Sequence, residues 1–344
     1  MPLPAGERRD VQGMSLSVVA FTGCVAAITF ALGVIYRRVW LDSFGPQITP
    51  TGFGVFLPAA LLAAAIAFRE PASIVAAFAI LGVATAIYWF DDLMEMRAAL
   101  RLALSFATGV SICAVLLANG EGPPLWLLVC ACAAFGGLNV VLTNIVNFYD
   151  GADLNLATFI ILTAGIALLF MPAPDVISSS AIACLAFTVP FSFMNSQPRT
   201  IYLGDAGSFA FASFLTMVAV LYFARSDLPP QIAIPIALPA FDTFYVLCVR
   251  IIEKHDLMTR NYLHLYQKLN QTYKGFGYLL PQVVNAGLAL ACAVALQRCG
   301  LSTLVAVLTA MALVTVPFYF ACRKMLLRPG GAKGDTVDAG PCGR

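Results

Sequence analysis

Apolar segments long enough to cross a membrane recur along the whole chain, and they limit its fold more than any other feature. A spanning helix needs roughly 20 apolar residues. The 344 residues are 60% hydrophobic and only 11% charged, whereas soluble domains carry roughly 25% charged residues. So few charges cannot cover a water-facing surface of this size. The sequence therefore predicts an all-α polytopic membrane protein and excludes a soluble globule.

Eleven transmembrane helices are predicted from the apolar runs between charged residues and breaks marked by Pro or Gly. Their predicted bounds are 14–36, 52–68, 72–90, 98–118, 125–146, 155–171, 176–194, 207–224, 231–251, 280–298 and 302–322. The connections are too short for a separate soluble domain. We expect a single transmembrane domain over 14–322, a short extracytoplasmic tail over 1–13 and a disordered, Gly-rich cytoplasmic tail over 323–344.

The distribution of Lys and Arg sets the predicted orientation, because cytoplasmic loops of membrane proteins carry an excess of both. With the amino terminus outside, 15 of the 20 Lys and Arg residues lie on the cytoplasmic side and 5 on the outer side. Arg8 and Arg9 fall on the outer side against this rule, and a start at Met14 would remove them. We expect the amino terminus outside and the carboxyl terminus in the cytoplasm.

This topology also sorts the acidic residues, which played no part in choosing it. Polar residues from four loops or helix ends come to the cytoplasmic side, namely Asp91, Asp92, Asp150, Asp153, Asp205, Arg260 and His264. The outer side is predicted to carry only scattered single acids, namely Glu70, Glu121, Asp175 and Asp227. Ligand chemistry is therefore expected at cytoplasmic loops, and no basic cluster with aromatic residues indicates nucleic acid.

Asp91 and Asp92 follow an aromatic run at the end of the third predicted span. Two adjacent carboxylates at the depth of the membrane interface repel each other, and a cation or a shared proton would relieve the repulsion. The pair is equally compatible with a solvated helix end.

Asn144, Asn147 and Asp150 recur at intervals of three residues, which places two amides and a carboxylate on one helical face within roughly 120°. Asn at membrane depth is costly without a partner. Such oxygen donors suit Mg²⁺, which keeps waters and takes oxygens from substrate phosphates. Gly151 would let the chain turn close to a ligand. A polar stripe for helix packing is the alternative.

Two further segments carry polar groups on this side. Asp205 stands between two glycines just before an apolar helix, whose first-turn amides favour an anion; an Asp turn capped by Ser208 is the alternative. The loop with Arg260 and His264 combines basic, imidazole and aromatic groups that suit an anionic ligand bearing a sugar. Contact of this loop with lipid headgroups is the alternative.

Together, and in this order, the motifs resemble those of the polyprenyl-phosphate N-acetylhexosamine-1-phosphate transferases, the group that contains MraY and WecA. About half of the chain carries the resemblance, through Asp91-Asp92, Asn144-x-x-Asn147-x-x-Asp150-Gly-Ala-Asp153, Gly204-Asp205-x-Gly207-Ser208 and Asp242-Thr243. Two departures stand out. The family's basic segment before Pro-x-Gly-Gly is reduced to 48–54 without basic residues, and its His-x-His-His run reads His264-Leu265-Tyr266-Gln267. The second departure resembles the branch that initiates O-antigen synthesis.

The resemblance implies transfer of a sugar-1-phosphate from a UDP-N-acetylhexosamine or a 6-deoxy derivative to undecaprenyl phosphate, with release of UMP, at the cytoplasmic face of a bacterial inner membrane. It implies Mg²⁺, which Mn²⁺ could replace, held by Asp205 and Asn147. The implied catalytic residues are Asp91 as base or lipid-phosphate positioning residue, Asp92 as its orienting neighbour, and Asp150. The implied substrate-binding residues are Asn144, Asp153, Arg260 and His264.

A multi-pass secondary transporter with intramembrane carboxylates is the alternative from another class. Transporter sites lie near the bilayer midplane, often between internal repeats, whereas these acids lie at predicted helix ends and no clear repeat relates the two halves. The expected partners are a UDP-sugar, undecaprenyl phosphate and the lipid bilayer, without nucleic acid. The sequence leaves a homodimer open.

Overall fold

The computed structural model describes residues 5–94, 96–118, 123–171, 175–196, 201–225, 227–255, 263–273 and 275–326, with side chains from Ser17 onward. Within these ranges the regular structure is entirely helical, without a strand. The α-helices are α1 Ala5–Phe44, α2 Leu57–Ala67, α3 Ala72–Met94, α4 Ala98–Leu117, α5 Leu125–Tyr149, α6 Asn155–Phe170, α7 Val176–Asn195, α8 Gly204–Ala224, α9 Ala237–Ile252, α10 Leu265–Thr272, α11 Leu280–Arg298 and α12 Thr303–Leu326. The 3₁₀ turns Phe53–Phe56, Pro230–Ile236 and Gly277–Leu279 lead into α2, α9 and α11.

Nine helical segments of the described chain are long and apolar enough to cross a membrane. Two further apolar segments, Phe53–Ala67 and Asn155–Phe170, are shorter. The predicted class, an all-α polytopic membrane protein, is confirmed, and each of the eleven predicted spans falls on one of these segments. How many of them cross a membrane stays a prediction.

The two ends of the chain differ from the prediction. Helix α1 begins at Ala5, so the predicted tail is helical from that residue, and it continues to Phe44 because Gly45-Pro46 is the first strong breaker. Gly45 has a φ of +85°, as expected of a glycine that ends a helix. Helix α12 runs to Leu326, past the predicted start of the disordered tail, whose residues 327–344 lie outside the described part.

Helix α8 is the central helix of the bundle and packs against α3, α4 and α5. In its most apolar stretch 72% of the residues are buried, against 11% in that of α1. Small residues bring α4 and α5 close together, because a Cβ on Gly109 would lie 2.6 Å from the carbonyl oxygen of Phe135. This packing places the start of α8 among the ends of three neighbouring helices.

A buried polar group joins α4, α5 and α8 inside the apolar bundle. The Asn139 amide donates a hydrogen bond to the carbonyl oxygen of Ser105 at 2.7 Å. Thr216 donates to the amide oxygen of Asn139 at 2.8 Å, and the hydroxyl oxygens of Ser105 and Thr143 are 2.9 Å apart. Polar groups at membrane depth are stable only with such partners, so these bonds fix the mutual positions of the three helices.

Candidate active site

One end of the bundle collects acidic side chains where the carboxyl-terminal ends of α3 and α5 meet the amino-terminal ends of α4 and α8. This acid cluster consists of Asp91, Asp92, Asp150 and Asp205. Asp205, in the first turn of α8, is its centre. The Asn147 amide donates to Asp205 Oδ1 at 2.7 Å, and Nη1 of Arg101 lies 3.4 Å from Oδ2. The fold thus brings together the two residues predicted to hold a metal.

Arg101, in the first turn of α4, links Asp205 to Asp91. Its Nη1 lies 3.5 Å from Asp91 Oδ2, and the backbone N–H of Met96 donates to Asp91 Oδ1. Because Asp91 is only 6% exposed, its charge is balanced by groups of the protein itself. Sequence reasoning missed Arg101 as a site residue, although its predicted place beside the acid pair, on the same membrane side, was the signal that could have identified it.

Asp92 has a different role from its neighbour. Its Oδ1 accepts a hydrogen bond from the backbone N–H of Asp205 at 2.9 Å, and its Oδ2 accepts one from Ala206 at 3.1 Å. The first N–H groups of a helix have no partner within the helix, and the helix dipole favours an anion there. Asp92 therefore caps α8 from α3. Its predicted role as the orienting neighbour of Asp91 stays a prediction, and the carboxylate that lies at the first turn of α8 is that of Asp92.

The reduced motif at residues 48–54 closes this junction from the other side. The backbone N–H of Gly54 donates to the carbonyl oxygen of Leu203 at 2.9 Å. Gly204 has a φ of +73°, and a Cβ there would lie 2.5 Å from Asp92 Oδ1. Only glycine adopts this conformation at such close approach without strain. The segment therefore holds the start of α8 by its backbone, without the basic residues of the family pattern.

Asp150 directly follows α5 and accepts a hydrogen bond from the Ser208 hydroxyl at 3.1 Å. Burial, together with the nearby carboxylates of Asp205 and Asp92, raises the pKa of Asp150 well above its usual range, although the bond from Ser208 acts in the opposite direction. A carboxyl group with a raised pKa in a polar cluster is suited to accept or give a proton. Ser208 thus bonds across the cluster instead of capping its own turn.

The predicted face of α5 is formed only in part. Asn147 and Asp150 join the acid cluster, but Asn144 donates to the carbonyl oxygen of Val140 one turn earlier in its own helix, at 2.8 Å. Asp153 is 7% exposed and lies near enough to Asp150 to raise the pKa of that carboxyl group. Asn144 thus bonds within its own helix and Asp153 lies near Asp150, and their predicted roles as substrate-binding residues stay predictions.

Gly151 marks the contact between α10 and the acid cluster. The Tyr266 hydroxyl donates to the carbonyl oxygen of Phe148 at 2.8 Å, and a Cβ on Gly151 would lie 2.0 Å from that hydroxyl oxygen. Burial raises the pKa of Tyr266, as do the charges of Asp242 and Asp150. Gly151 therefore leaves space for the Tyr266 ring, which sequence reasoning did not include in the site.

His264 stands at the start of α10 and is 4% exposed. Its Nδ1 lies 2.8 Å from Oδ2 of Asp242, a buried residue of α9. The rings of Phe148 and Tyr266 have their centroids 6.0 Å and 5.9 Å from that of the imidazole. His264 is thus held next to the acid cluster. Arg260 lies outside the described residues, so its predicted role stays a prediction.

The opposite end of the bundle corrects the expectation of scattered single acids. Arg225 pairs with Asp175 at 2.8 Å and with Asp227 at 2.9 Å. Glu70 accepts a hydrogen bond from the first turn of α7 at 2.9 Å. The three acids come together because the residues that begin α3, begin α7 and follow α8 meet there, which their spacing in the sequence does not reveal. Glu121 lies outside the described residues.

A magnesium ion fits the acid cluster only as a site shared with substrate. The cluster combines four carboxylates with one guanidinium, and no group of three or more His, Cys, Asp or Glu in the described ranges forms a ready metal cage. Mg²⁺ usually takes one or two carboxylates and completes its shell with waters and substrate phosphates. Asp205, whose side chain is 38% exposed, and the neighbouring Asn147 can supply such a site.

The fold and the site define a class of protein: a multi-helix membrane protein whose acidic site lies at one end of its helices. Residues 72–223 match the sequence profile of glycosyl transferase family 4. This segment contains the whole acid cluster together with Arg101 and Asn147. Over this segment, which is less than half of the chain, the protein is similar to that family, and the resemblance predicted from the motifs is confirmed.

Three curated relatives are also named as transferases. The chain is 30% identical over 135 residues to a probable undecaprenyl-phosphate N-acetylglucosaminyl 1-phosphate transferase of Bacillus subtilis, a region that is 38% of either protein. It is 29% identical over 205 residues, 52% of this chain and 57% of the relative, to a phospho-N-acetylmuramoyl-pentapeptide-transferase of Microcystis aeruginosa. A protein of that same name from Synechococcus elongatus is 28% identical over 244 residues, 61% of this chain and 64% of the relative. The chain thus spans less than two thirds of each relative.

Proposed function

We propose that this protein transfers a sugar-1-phosphate, from a UDP-N-acetylhexosamine or a 6-deoxy derivative, to undecaprenyl phosphate and releases UMP. The observation that carries the proposal is the position of Asp205. It lies at the start of the central helix, bonded to Asn147 and Arg101 within the segment that matches the family. The product would begin O-antigen or another cell-envelope glycan. The charge distribution supports a bacterial inner membrane location with this site in the cytoplasm.

In the proposed reaction an oxygen of the lipid phosphate attacks the β-phosphorus of the UDP-sugar. The new bond forms to that phosphorus as the bond to the oxygen of UMP breaks. Both reactants are anionic, so the protein must mainly position them and offset their charge. Asp205 and Asn147 would hold Mg²⁺, or Mn²⁺ in its place, and a bound metal ion would neutralise the diphosphate and favour departure of UMP.

The contacts of the aspartates suggest catalytic and positioning roles that differ from those predicted from the sequence. Asp91 is engaged by Arg101 and Met96, so we assign it the positioning of the guanidinium instead of the role of base. Asp92 is engaged by the backbone of α8. Asp150, with its raised pKa, is the aspartate best suited to exchange a proton with the lipid phosphate.

The transporter alternative predicts carboxylates near the middle of the membrane-spanning helices. The acid cluster instead uses the last turn of α3, the residue after α5 and the first turn of α8. Such positions suit substrates that approach from water on one side, and they favour the transferase.

The test is UMP release by the full chain in detergent with undecaprenyl phosphate, Mg²⁺ and a panel of UDP-sugars that includes 6-deoxy sugars. At least one donor should give turnover, and Asp205→Asn should lower it by about 100-fold or more, the order expected when one preorganised electrostatic group is lost. The same variant should lose the electron paramagnetic resonance signal of bound Mn²⁺. Asp227→Asn, at the opposite end of the bundle, is the matched control and should behave like the wild type. Absence of UMP with every donor would reject the proposal.

A further inference from the structure

Asp242 is a buried carboxylate of α9 that meets polar groups of two other helices. Its Oδ1 accepts from the backbone N–H of Leu265 at 3.0 Å and from the Tyr319 hydroxyl at 2.8 Å. Its Oδ2 faces His264 Nδ1 at 2.8 Å. Asp242 is 2% exposed and Tyr319 is fully buried, so water does not replace these partners. The carboxylate thus ties α9, the start of α10 and α12 together.

These contacts decide which ring nitrogen of His264 carries a proton. Oδ1 of Asp242 already accepts two hydrogen bonds, Oδ2 faces only His264, and an ionised carboxylate accepts hydrogen bonds without donating any. The Nδ1 atom of His264 must therefore be the donor in its 2.8 Å contact with Asp242. The tautomer of a histidine is set in this way by the bond that its other nitrogen makes.

The second ring nitrogen of His264, Nε2, is the atom that a ligand could meet. Among the described residues the one side chain that bonds to the imidazole is Asp242, through Nδ1, and His264 is only 4% exposed. The ring lies beside Phe148 and Tyr266, next to the chain that carries Asp150. Within the described part of the chain its one side-chain partner is Asp242, and a ligand at the acid cluster is a candidate partner for Nε2.

Helix α12 adds a second layer of support around the imidazole. Its Arg323 donates to the carbonyl oxygen of Leu263, directly before His264. The Arg323 guanidinium lies 4.5 Å from the centre of the Tyr245 ring and 5.4 Å from that of Tyr319. The cation stays stacked on these rings, so it strengthens the frame without pairing with Asp242.

We propose that Asp242, supported by Tyr319, is a positioning residue that fixes the proton of His264 on Nδ1 and presents Nε2 to a phosphate oxygen of the ligand. When Nε2 is also protonated, the charge of the imidazolium is compensated by Asp242, and Nε2–H can donate to that oxygen. The contact between Nε2 and the ligand, the ligand half of this inference, rests on the proposed function. The position of the proton on Nδ1, the tautomer half, does not. All three residues lie outside the segment that matches the family.

The tautomer can be read directly, because the chain has only two histidines. Protein labelled with ¹⁵N-histidine should give two sets of ring-nitrogen signals in detergent micelles. The exposed His255 is assigned by its loss in His255→Asn. For His264 we expect a protonated Nδ1 in the wild-type protein and loss of this fixed state in Asp242→Asn. A neutral wild-type ring with its proton on Nε2 overturns the proposal, even if the Asp242 variant fails to fold.

The ligand half is tested by kinetics in the active donor assay. His264→Asn and Asp242→Asn should each raise KM for the UDP-sugar about tenfold or more, the loss expected for one charge-assisted hydrogen bond, with a smaller effect on kcat. The double variant should be no worse than either single variant, because both remove the same interaction. Additive losses, or a KM unchanged from that of the His255→Asn control, would contradict it. Failure of every donor would remove the proposed function and leave the tautomer result standing.

Discussion

Replacement of Asp92 offers the sharpest test of how the site is built. Its two oxygens accept hydrogen bonds from the N–H groups of Asp205 and Ala206 in the first turn of α8, at 2.9 Å and 3.1 Å. In Asp92→Ala both groups lose a charged acceptor. Each hydrogen bond to a charged group contributes about 1.5–3 kcal/mol, and a carboxylate at a helix start adds about 0.3–1 kcal/mol. The loss in the free energy of unfolding is therefore about 3–7 kcal/mol, and it is smaller where water can bond to the exposed N–H groups.

Asp92→Asn should cost about half as much, about 1.5–3 kcal/mol. One amide oxygen still accepts a bond from α8, whereas the amide N–H₂ faces a second donor. The measurement is the unfolding of both variants in mixed micelles, followed by circular dichroism and compared with Asp227→Asn. The exposed Asp227 should change stability by less than about 0.5 kcal/mol.

Activity separates capping from direct catalysis. If Asp92 acts through α8, its variants should lose stability and Mn²⁺ affinity together, because Asp205 moves with the start of the helix. If Asp92→Asn unfolds like the wild-type protein yet loses turnover as completely as Asp205→Asn, Asp92 takes part in the chemistry and our interpretation of its contacts is refuted.

Three further changes test the surroundings of the cluster. Gly204→Ala should destabilise the protein by about 1–3 kcal/mol, because a φ of +73° and the carboxylate of Asp92 at 2.5 Å leave no room for a Cβ; an unchanged melting curve would contradict this. Gly151→Ala should lower activity and displace Tyr266, because the hydroxyl oxygen of Tyr266 would lie 2.0 Å from the new Cβ. Adding Tyr266→Phe should restore part of the lost activity. A double variant less active than Gly151→Ala alone would argue against this contact. The pKa of Asp150 is raised in the folded state. Its carboxyl group therefore stabilises the fold at a pH below the ordinary pKa of about 3.9. This stabilisation is lost as the pH rises through the pKa that Asp150 has in the folded protein. In chelator-treated protein, Asp150→Asn should therefore gain stability relative to the wild type as the pH rises above about 3.9, and a constant difference would refute the assignment.

Some features of the site were predictable because they depend on short stretches of chain. The interval between Asn147 and Asp150 places both on one face of α5, and both reach the acid cluster. The same interval places Asn144 on that face, but its amide donates to a carbonyl oxygen of its own helix instead of bonding to the acid cluster. Side-chain spacing fixes which face a residue occupies, but the choice among hydrogen-bond partners depends on what lies opposite.

Other features could not be predicted because the residues that meet in them are far apart in the sequence. Asp205 and Arg101 are 104 residues apart, and no periodicity connects them. The same holds for His264 and Tyr319, which meet only through Asp242. At the opposite end of the bundle, Arg225 and Asp175 pair across two helices, which a topology diagram represents as separate loops.

The sequence by itself determined the class of fold, the family that the chain resembles and the end of the bundle at which the acid cluster lies. A membrane imposes this, because apolar spans must be helical and charged residues are pushed to their ends. Only the tertiary structure decided what each aspartate does. Asp91 and Asp92 are adjacent in the chain, yet one pairs with Arg101 and the other caps a helix 113 residues away. Their roles differ because successive residues of a helix point about 100° apart, toward different neighbours that only the packed bundle supplies.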